Sequence, residues 1–171
     1  MKLTRIIATI GLFLSRFISV IYFATALHLL ASVIFKLPTF KLLPSNIFII
    51  LYPFSAKTFL IGSVFSAGYI AEMVLIILFY GSFFWLLSNV FKTFRKKKLF
   101  TVQGIKNLKL FYIINLFISP VLFTILSIYS IEDYPYFAII IGHVILGVLV
   151  FFIAAIFEQG VNLQHDQDLF I

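Results

Sequence analysis

Besides Arg16, which lies near the end of its segment, three ionisable side chains lie within long apolar segments of the chain: His28, Glu72 and His143. Ionisable groups are costly in hydrocarbon, so each is a candidate for function. Imidazole beside a carboxylate titrates near neutral pH, which suits a sensor or carrier of protons or small cations. Two imidazoles could also ligate a metal ion or a b-type haem, provided that the fold places them firmly.

The segments that hold these residues have the composition of a membrane protein. Of 171 residues, 63% are hydrophobic and 11% are charged, and the mean hydropathy is +1.15. An ordinary soluble domain does not reach such values. Nearly uncharged runs long enough to cross a bilayer recur four times, at residues 12–35, 68–90, 110–130 and 136–157. The sequence therefore predicts one all-α integral membrane domain over residues 1–171, a bundle of four transmembrane helices.

The three ionisable residues are predicted to lie at similar depths. His28 and His143 each lie about seven residues from the same end of the bundle, or roughly 10 Å deep, and Glu72 is slightly shallower. Small residues share the helical faces of both histidines, which indicates that the imidazoles point inward. They could form a hydrogen-bonded cluster, or each could be an interior polar residue satisfied by a partner of its own.

Enzyme chemistry finds little support in the sequence. Cysteine is absent, which excludes disulfides, thiolate catalysis and cysteine-ligated metals. His165, Asp166 and Asp168 resemble a ligand set, but a metal site needs three or four preorganised donors, so a solvated tail is expected. We find no catalytic triad, phosphate loop or paired carboxylates. The sequence predicts a non-enzyme without cofactor or metal.

Basic residues predict the orientation. Seven fall in one segment: Lys92, Arg95, Lys96, Lys97, Lys98, Lys106 and Lys109. With both termini in the cytoplasm, these residues lie inside together with Lys2, Arg5 and Arg16, as the positive-inside rule requires. Arg16 is expected to extend its side chain to the headgroups. The connection between the first two helices is then external.

The basic segment itself is predicted to set topology and to bind anionic lipids of the inner leaflet. Direct nucleic-acid binding would need a larger basic face. Docking of a cytoplasmic regulatory protein remains a further possibility. Thr101 is positioned as the N-cap of an amphipathic helix that leads into the third span, although Gly104 replaces the Glu or Gln of a capping box.

Two irregular features complete the pattern. The apolar run "NIFIILY" in the external connection is too short to span the membrane, so it is either β-like or interfacial. Pro120 is predicted to kink the third span, with Asn115 and Ser119 on an inward face.

Two motifs are similar to a known family. The segment "FKTFRKKKLFTVQGIKNLKLF" resembles the central loop, and "FEQGVNLQHDQDLFI" the ending, of bacterial membrane proteins of domain-of-unknown-function family 2975. The matching positions are Phe100, Thr101, Asn107, Leu108, Phe157, Gly160, Leu163, Asp168, Leu169 and Ile171. The resemblance implies a four-span protein of the bacterial cell membrane, without established activity and often encoded beside a small helix-turn-helix regulator.

The sequence thus favours a non-catalytic membrane protein that meets a cytoplasmic regulator. One alternative is ion or proton sensing, or transport, through His28, Glu72 and His143. Another is an immunity-type protein against a membrane-active peptide.

Overall fold

The structure is a computed structural model that describes residues 2–168. Long helices dominate it, with a small sheet after the first helix. The elements in chain order are α1 (Lys2–Ile34), β1 (Phe40–Leu42), β2 (Phe48–Leu51), β3 (Thr58–Gly62), α2 (Ala67–Arg95), α3 (Val102–Ile113), a π-helical segment (Ile114–Ile118), α4 (Ser119–Tyr129) and α5 (Tyr136–Asp168).

Four helices are long and apolar enough to cross a membrane, as predicted. They are Lys2–Ile34, Ala67–Arg95, the continuous helix Val102–Tyr129, and Tyr136–Asp166. Each contains one of the predicted spans to within a residue or so at its ends. The helices extend beyond the predicted spans, because their polar end residues continue the helical backbone hydrogen bonds. Helix α2 continues to Arg95, and α5 to Asp168.

The chain forms two compact units. Unit 1 comprises Met1–Ile18 and Ser82–Ile171, and unit 2 comprises Ser19–Gly81. The core of unit 1 consists of buried side chains from α2, α3 and α5, namely Val90, Leu108, Phe111, Val150, Ala154 and Phe157. On α5, buried positions recur at steps of three or four residues from His143 to Phe157, which gives that helix one continuous inward stripe.

Unit 2 contains a three-stranded antiparallel sheet in the order β1-β2-β3. The central strand lies in the run "NIFIILY", so its β-like interpretation is confirmed and the interfacial one is not needed. Phe48 and Ile50 are fully buried and pack with Leu29 of α1 and Tyr69 of α2. A Cβ at Gly62 would lie 2.0 Å from the Phe48 ring, so strand β3 approaches β2 at a position that only glycine fits.

Candidate functional site

His143 makes the best-defined polar contact inside a membrane-length helix. Its Nδ1 lies 2.7 Å from Oδ1 of Asn115, and both residues are buried. The imidazole stacks on Phe123 at 5.8 Å and meets the edge of Phe83 at 5.4 Å. The imidazole is therefore flanked by two aromatic rings, with Nδ1 directed at Asn115 of the third span.

Hydrogen-bond geometry fixes which atoms carry the protons. Asn115 Nδ2 donates to the carbonyl of Phe111 at 2.7 Å, so its Oδ1 is the atom left to accept. His143 Nδ1 must then bear a hydrogen. Ser119, on the same buried face, has an Oγ without a hydrogen-bond partner among the described residues, and a buried unsatisfied hydroxyl calls for an explanation.

The backbone around this pair is specialised. Asn115 lies in the π-helical segment Ile114–Ile118, which ends directly before the turn that holds Pro120. A proline in a regular α-helix clashes with the carbonyl four residues earlier, and a widened turn relieves that clash. The structure thus has a π turn directly before Pro120, and the predicted kink stays a prediction. On α5, a Cβ at Gly147 would lie 2.7 Å from Leu116, so glycine lets α5 approach one turn beyond His143.

His28 serves a different contact in unit 2. Its Nε2 lies 2.9 Å from the carbonyl oxygen of Leu51, where the register between β2 and β3 shifts. A carbonyl only accepts, so Nε2 donates. Phe59 flanks the imidazole at 5.8 Å. The side chain thereby joins α1 to the sheet, which is the contact of a satisfied structural histidine.

Glu72 is buried in the first turns of α2, also in unit 2, and has polar or ring contacts of its own. His28 and Glu72 therefore belong to unit 2, whereas His143 belongs to unit 1. The cluster of three stays a prediction. Among the side chains that the structure describes, which end at Asp166, no group of three or more His, Asp or Glu is placed to hold a metal ion.

Arg16, which the sequence predicts to reach the headgroups, is half-buried in the structure. In unit 1 its guanidinium carbon lies 4.7 Å from the centroid of the Trp85 ring, and its Nη2 is 3.5 Å from Asn89 Oδ1. The arginine thus has protein partners on α2. The sequence feature that could have indicated these partners is Trp85 one helical turn before Asn89 on the second span.

The basic segment is an ordered structure. Thr101 caps α3, with its hydroxyl accepting from the Gly104 N–H at 3.1 Å, as predicted. Asn107 Nδ2 donates to the Asn89 carbonyl at 3.2 Å and to Thr93 Oγ1 at 3.0 Å. These bonds tie the start of α3 to the end of α2. All the basic residues of the segment except Lys109 are classed as exposed: Lys92, Arg95, Lys96, Lys97, Lys98 and Lys106.

The end of α5 packs on this segment. The Phe100 ring lies 5.2 Å from Phe157, and a Cβ at Gly160 would come within 2.6 Å of it. Lys109 Nζ is 3.3 Å from Glu158 Oε1. We call residues 92–109 together with residues 157–166 the basic platform. Its family-like positions are mainly packing residues, since Leu108 is fully buried and Phe157 nearly so.

A cleft of about 290 Å³ opens in the platform between the loop and α5. Its lining includes Lys98, Phe100, Val161, Gln164 and His165. Leu163 and Asp166 are exposed on the same helical end. The side chain of Asp168, and Leu169 and Ile171 as a whole, lie outside the described residues.

Comparison with known proteins gives one match. No curated protein and no solved structure is similar to the chain. A family model described as "Protein of unknown function (DUF2975)" matches residues 50–171, which contain the end of β2, all of β3, the basic platform and the Asn115–His143 pair. The match covers well over half of the chain and confirms the resemblance, so the protein belongs to the DUF2975 family.

Proposed function

We propose that the protein is a non-catalytic, multi-pass protein of the bacterial cell membrane whose basic platform docks a cytoplasmic regulatory protein. The observation that carries this proposal is the packing of α5 on the loop. Phe100 lies against Phe157 and over Gly160, so the cations are presented on a shaped surface. A loop that served only as a topology signal would not need that structure.

The charge distribution supports a cytoplasmic platform. Lys2, Arg5 and the platform cations would lie inside, against Lys36, Lys41 and Lys57 outside, as the positive-inside rule favours. Because the chain has no cysteine, single cysteines report sidedness cleanly. We expect Lys97→Cys to react with a membrane-impermeant maleimide only after cell lysis, and Lys41→Cys to react in intact cells. The reverse pattern would refute the orientation.

The cleft supplies the docking chemistry. Lys98 and His165 offer positive or hydrogen-bonding groups, whereas Phe100 and Val161 offer apolar surface. An acidic partner segment with one apolar anchor fits this combination. The family resemblance names a candidate partner class, the small helix-turn-helix regulators encoded beside such proteins.

The test is binding of that purified regulator to the full chain in detergent micelles. We expect Lys98→Glu, at the cleft, to weaken binding at least tenfold. Lys106→Glu is the matched control, because it makes the same charge change at an exposed residue that does not line the cleft. If both variants lose affinity for the regulator equally, the platform acts only through its overall charge. If neither variant changes the affinity, the platform is not part of the interface.

A second candidate function is proton or cation sensing at the Asn115–His143 pair. The buried Ser119 hydroxyl without a partner, beside a π turn of the kind found at functional sites, favours it. In proteoliposomes, a pH-dependent flux lost in His143→Gln and retained in His28→Gln would support this role. The immunity-type alternative remains a prediction, to be tested by toxin challenge of cells that express the protein.

A further inference from the structure

Two adjoining hollows lie in unit 1 where the start of α1 meets the end of α2. The smaller, of about 50 Å³, is lined by Thr4, Arg5, Phe94, Lys96 and Leu99. The larger is a groove of about 270 Å³. Both hollows include Thr4 and Phe94 in their walls, so they are neighbours, and we call the two together the depression.

Two basic residues, Arg5 and Lys96, are among the residues that line the smaller hollow. In the part of the chain that the structure describes, the ion pair is Lys109 with Glu158, so neither of these cations is neutralised by a carboxylate there. Two uncompensated cations beside the Thr4 hydroxyl are the donors that a phosphate group takes.

The larger groove is apolar. Beyond Thr4 its walls are Leu3, Ile7, Ala8, Phe91 and Phe94. Farther along α1, Gly11 lets the two helices approach closely, since a Cβ there would lie 2.8 Å from the ring of Phe91, one of the groove's residues.

We propose that this depression binds one anionic phospholipid, with its phosphate at Arg5 and Lys96 and one acyl chain in the groove. Basic residues beside an apolar groove match the arrangement of a phospholipid, in which a charged headgroup adjoins an acyl chain. A free phosphate ion would leave the apolar groove empty, and an apolar partner helix would leave the two cations without a counter-charge. This proposal rests on the proposed function in one respect: the cytoplasmic orientation of the basic platform makes the inner leaflet the source of the lipid.

The experiment is native mass spectrometry of the delipidated full chain in detergent, titrated with phosphatidylglycerol or phosphatidylcholine. We expect one phosphatidylglycerol to be retained in preference to phosphatidylcholine. Arg5→Gln with Lys96→Gln should weaken its affinity about tenfold or more, because charge-assisted contacts with the phosphate are lost. The matched control, Lys97→Gln with Lys106→Gln, removes the same charge at exposed sites outside the depression. It should change the affinity by less than threefold, because a detergent micelle has no anionic surface to which these lysines could be attracted.

Each alternative has its own result. If the control pair loses as much lipid affinity as Arg5→Gln with Lys96→Gln, the attraction is diffuse and the proposed site is refuted. If phosphatidylcholine is retained as well as phosphatidylglycerol, the anionic headgroup is not recognised. Displacement of the lipid by inorganic phosphate would identify a simple anion site. If the double variant misfolds by circular dichroism, Lys96→Gln alone carries the test, because Lys96 lies at an exposed bend after α2. No regulator is present, so failure here leaves the docking proposal intact.

Discussion

The Asn115–His143 hydrogen bond makes a quantitative prediction about stability. Replacing Asn115 by Leu removes the acceptor of a buried Nδ1–H that lies 2.7 Å away. Leaving a buried donor unsatisfied costs about 1–3 kcal/mol. Interhelical hydrogen bonds in membrane proteins couple by about 0.6 kcal/mol on average and up to about 1.7. Because this bond is short and buried, we expect the single variant to lose about 2 kcal/mol of unfolding free energy.

A double-mutant cycle separates the bond from the loss of the side chain. His143→Phe keeps an aromatic ring between Phe83 and Phe123, which flank the imidazole. In the double variant neither polar partner remains, a change that is often nearly neutral. The two substitutions should therefore be less than additive, with a coupling of about 1 kcal/mol. The chain has one Trp, Trp85 in unit 1, so its fluorescence during denaturation in SDS with mixed micelles reports the unfolding of that unit.

A coupling energy near zero would refute this account of the pair. The predicted cluster is tested by His28→Phe combined with His143→Phe, with unfolding followed by far-UV circular dichroism, because His28 lies in unit 2 and Trp85 in unit 1. Each histidine has a partner of its own, Leu51 or Asn115, so we expect their effects to add within about 0.5 kcal/mol. A larger deviation would show that the two imidazoles interact.

Three further predictions concern packing and surface charge. Gly62→Ala should destabilise the protein by about 1–3 kcal/mol in thermal unfolding, because the added Cβ would meet the Phe48 ring, whereas a Cβ at Gly68 meets nothing and Gly68→Ala should stabilise slightly. Asn107→Leu removes two hydrogen bonds to α2, so we expect about 1–2 kcal/mol of lost stability and faster protease cleavage of the basic segment. Glu158→Gln should change stability by less than about 1 kcal/mol, since its ion pair is exposed; a larger loss would show that the pair holds α5 on the loop.

Local rules predicted the features that depend on short stretches of sequence. Four apolar runs of membrane length gave four long helices, because hydropathy and length decide a span. The N-cap of α3 at Thr101 was equally predictable, since capping involves neighbours two or three residues apart. The β-like run was left ambiguous because a short apolar stretch satisfies a strand and an interfacial segment alike.

Features that depend on distant partners were not accessible in this way. Gly104 looked like a defect in a capping box, yet a Cβ there would lie 2.7 Å from the Thr93 methyl carbon, so glycine is required by α2. Counting residues from the helix ends predicts that three ionisable groups lie at similar depths, but it does not identify their hydrogen-bond partners. Asn115, Leu51 and Trp85 emerged as partners only with the fold, because contacts between helices depend on rotation about each helix axis as well as on depth.

The basic platform shows how packing and recognition are divided among its residues. Phe157 and Gly160 lie on the inward stripe of α5, where they hold Phe100. Lys98 and His165 lie at the cleft instead. Substitutions at the first group would disturb the shape of the platform and every function that depends on it. Partner choice is therefore best sought in variants of the second group, Lys98 in the bend after α2 and His165 on α5, whose exposed side chains can change without disturbing that packing.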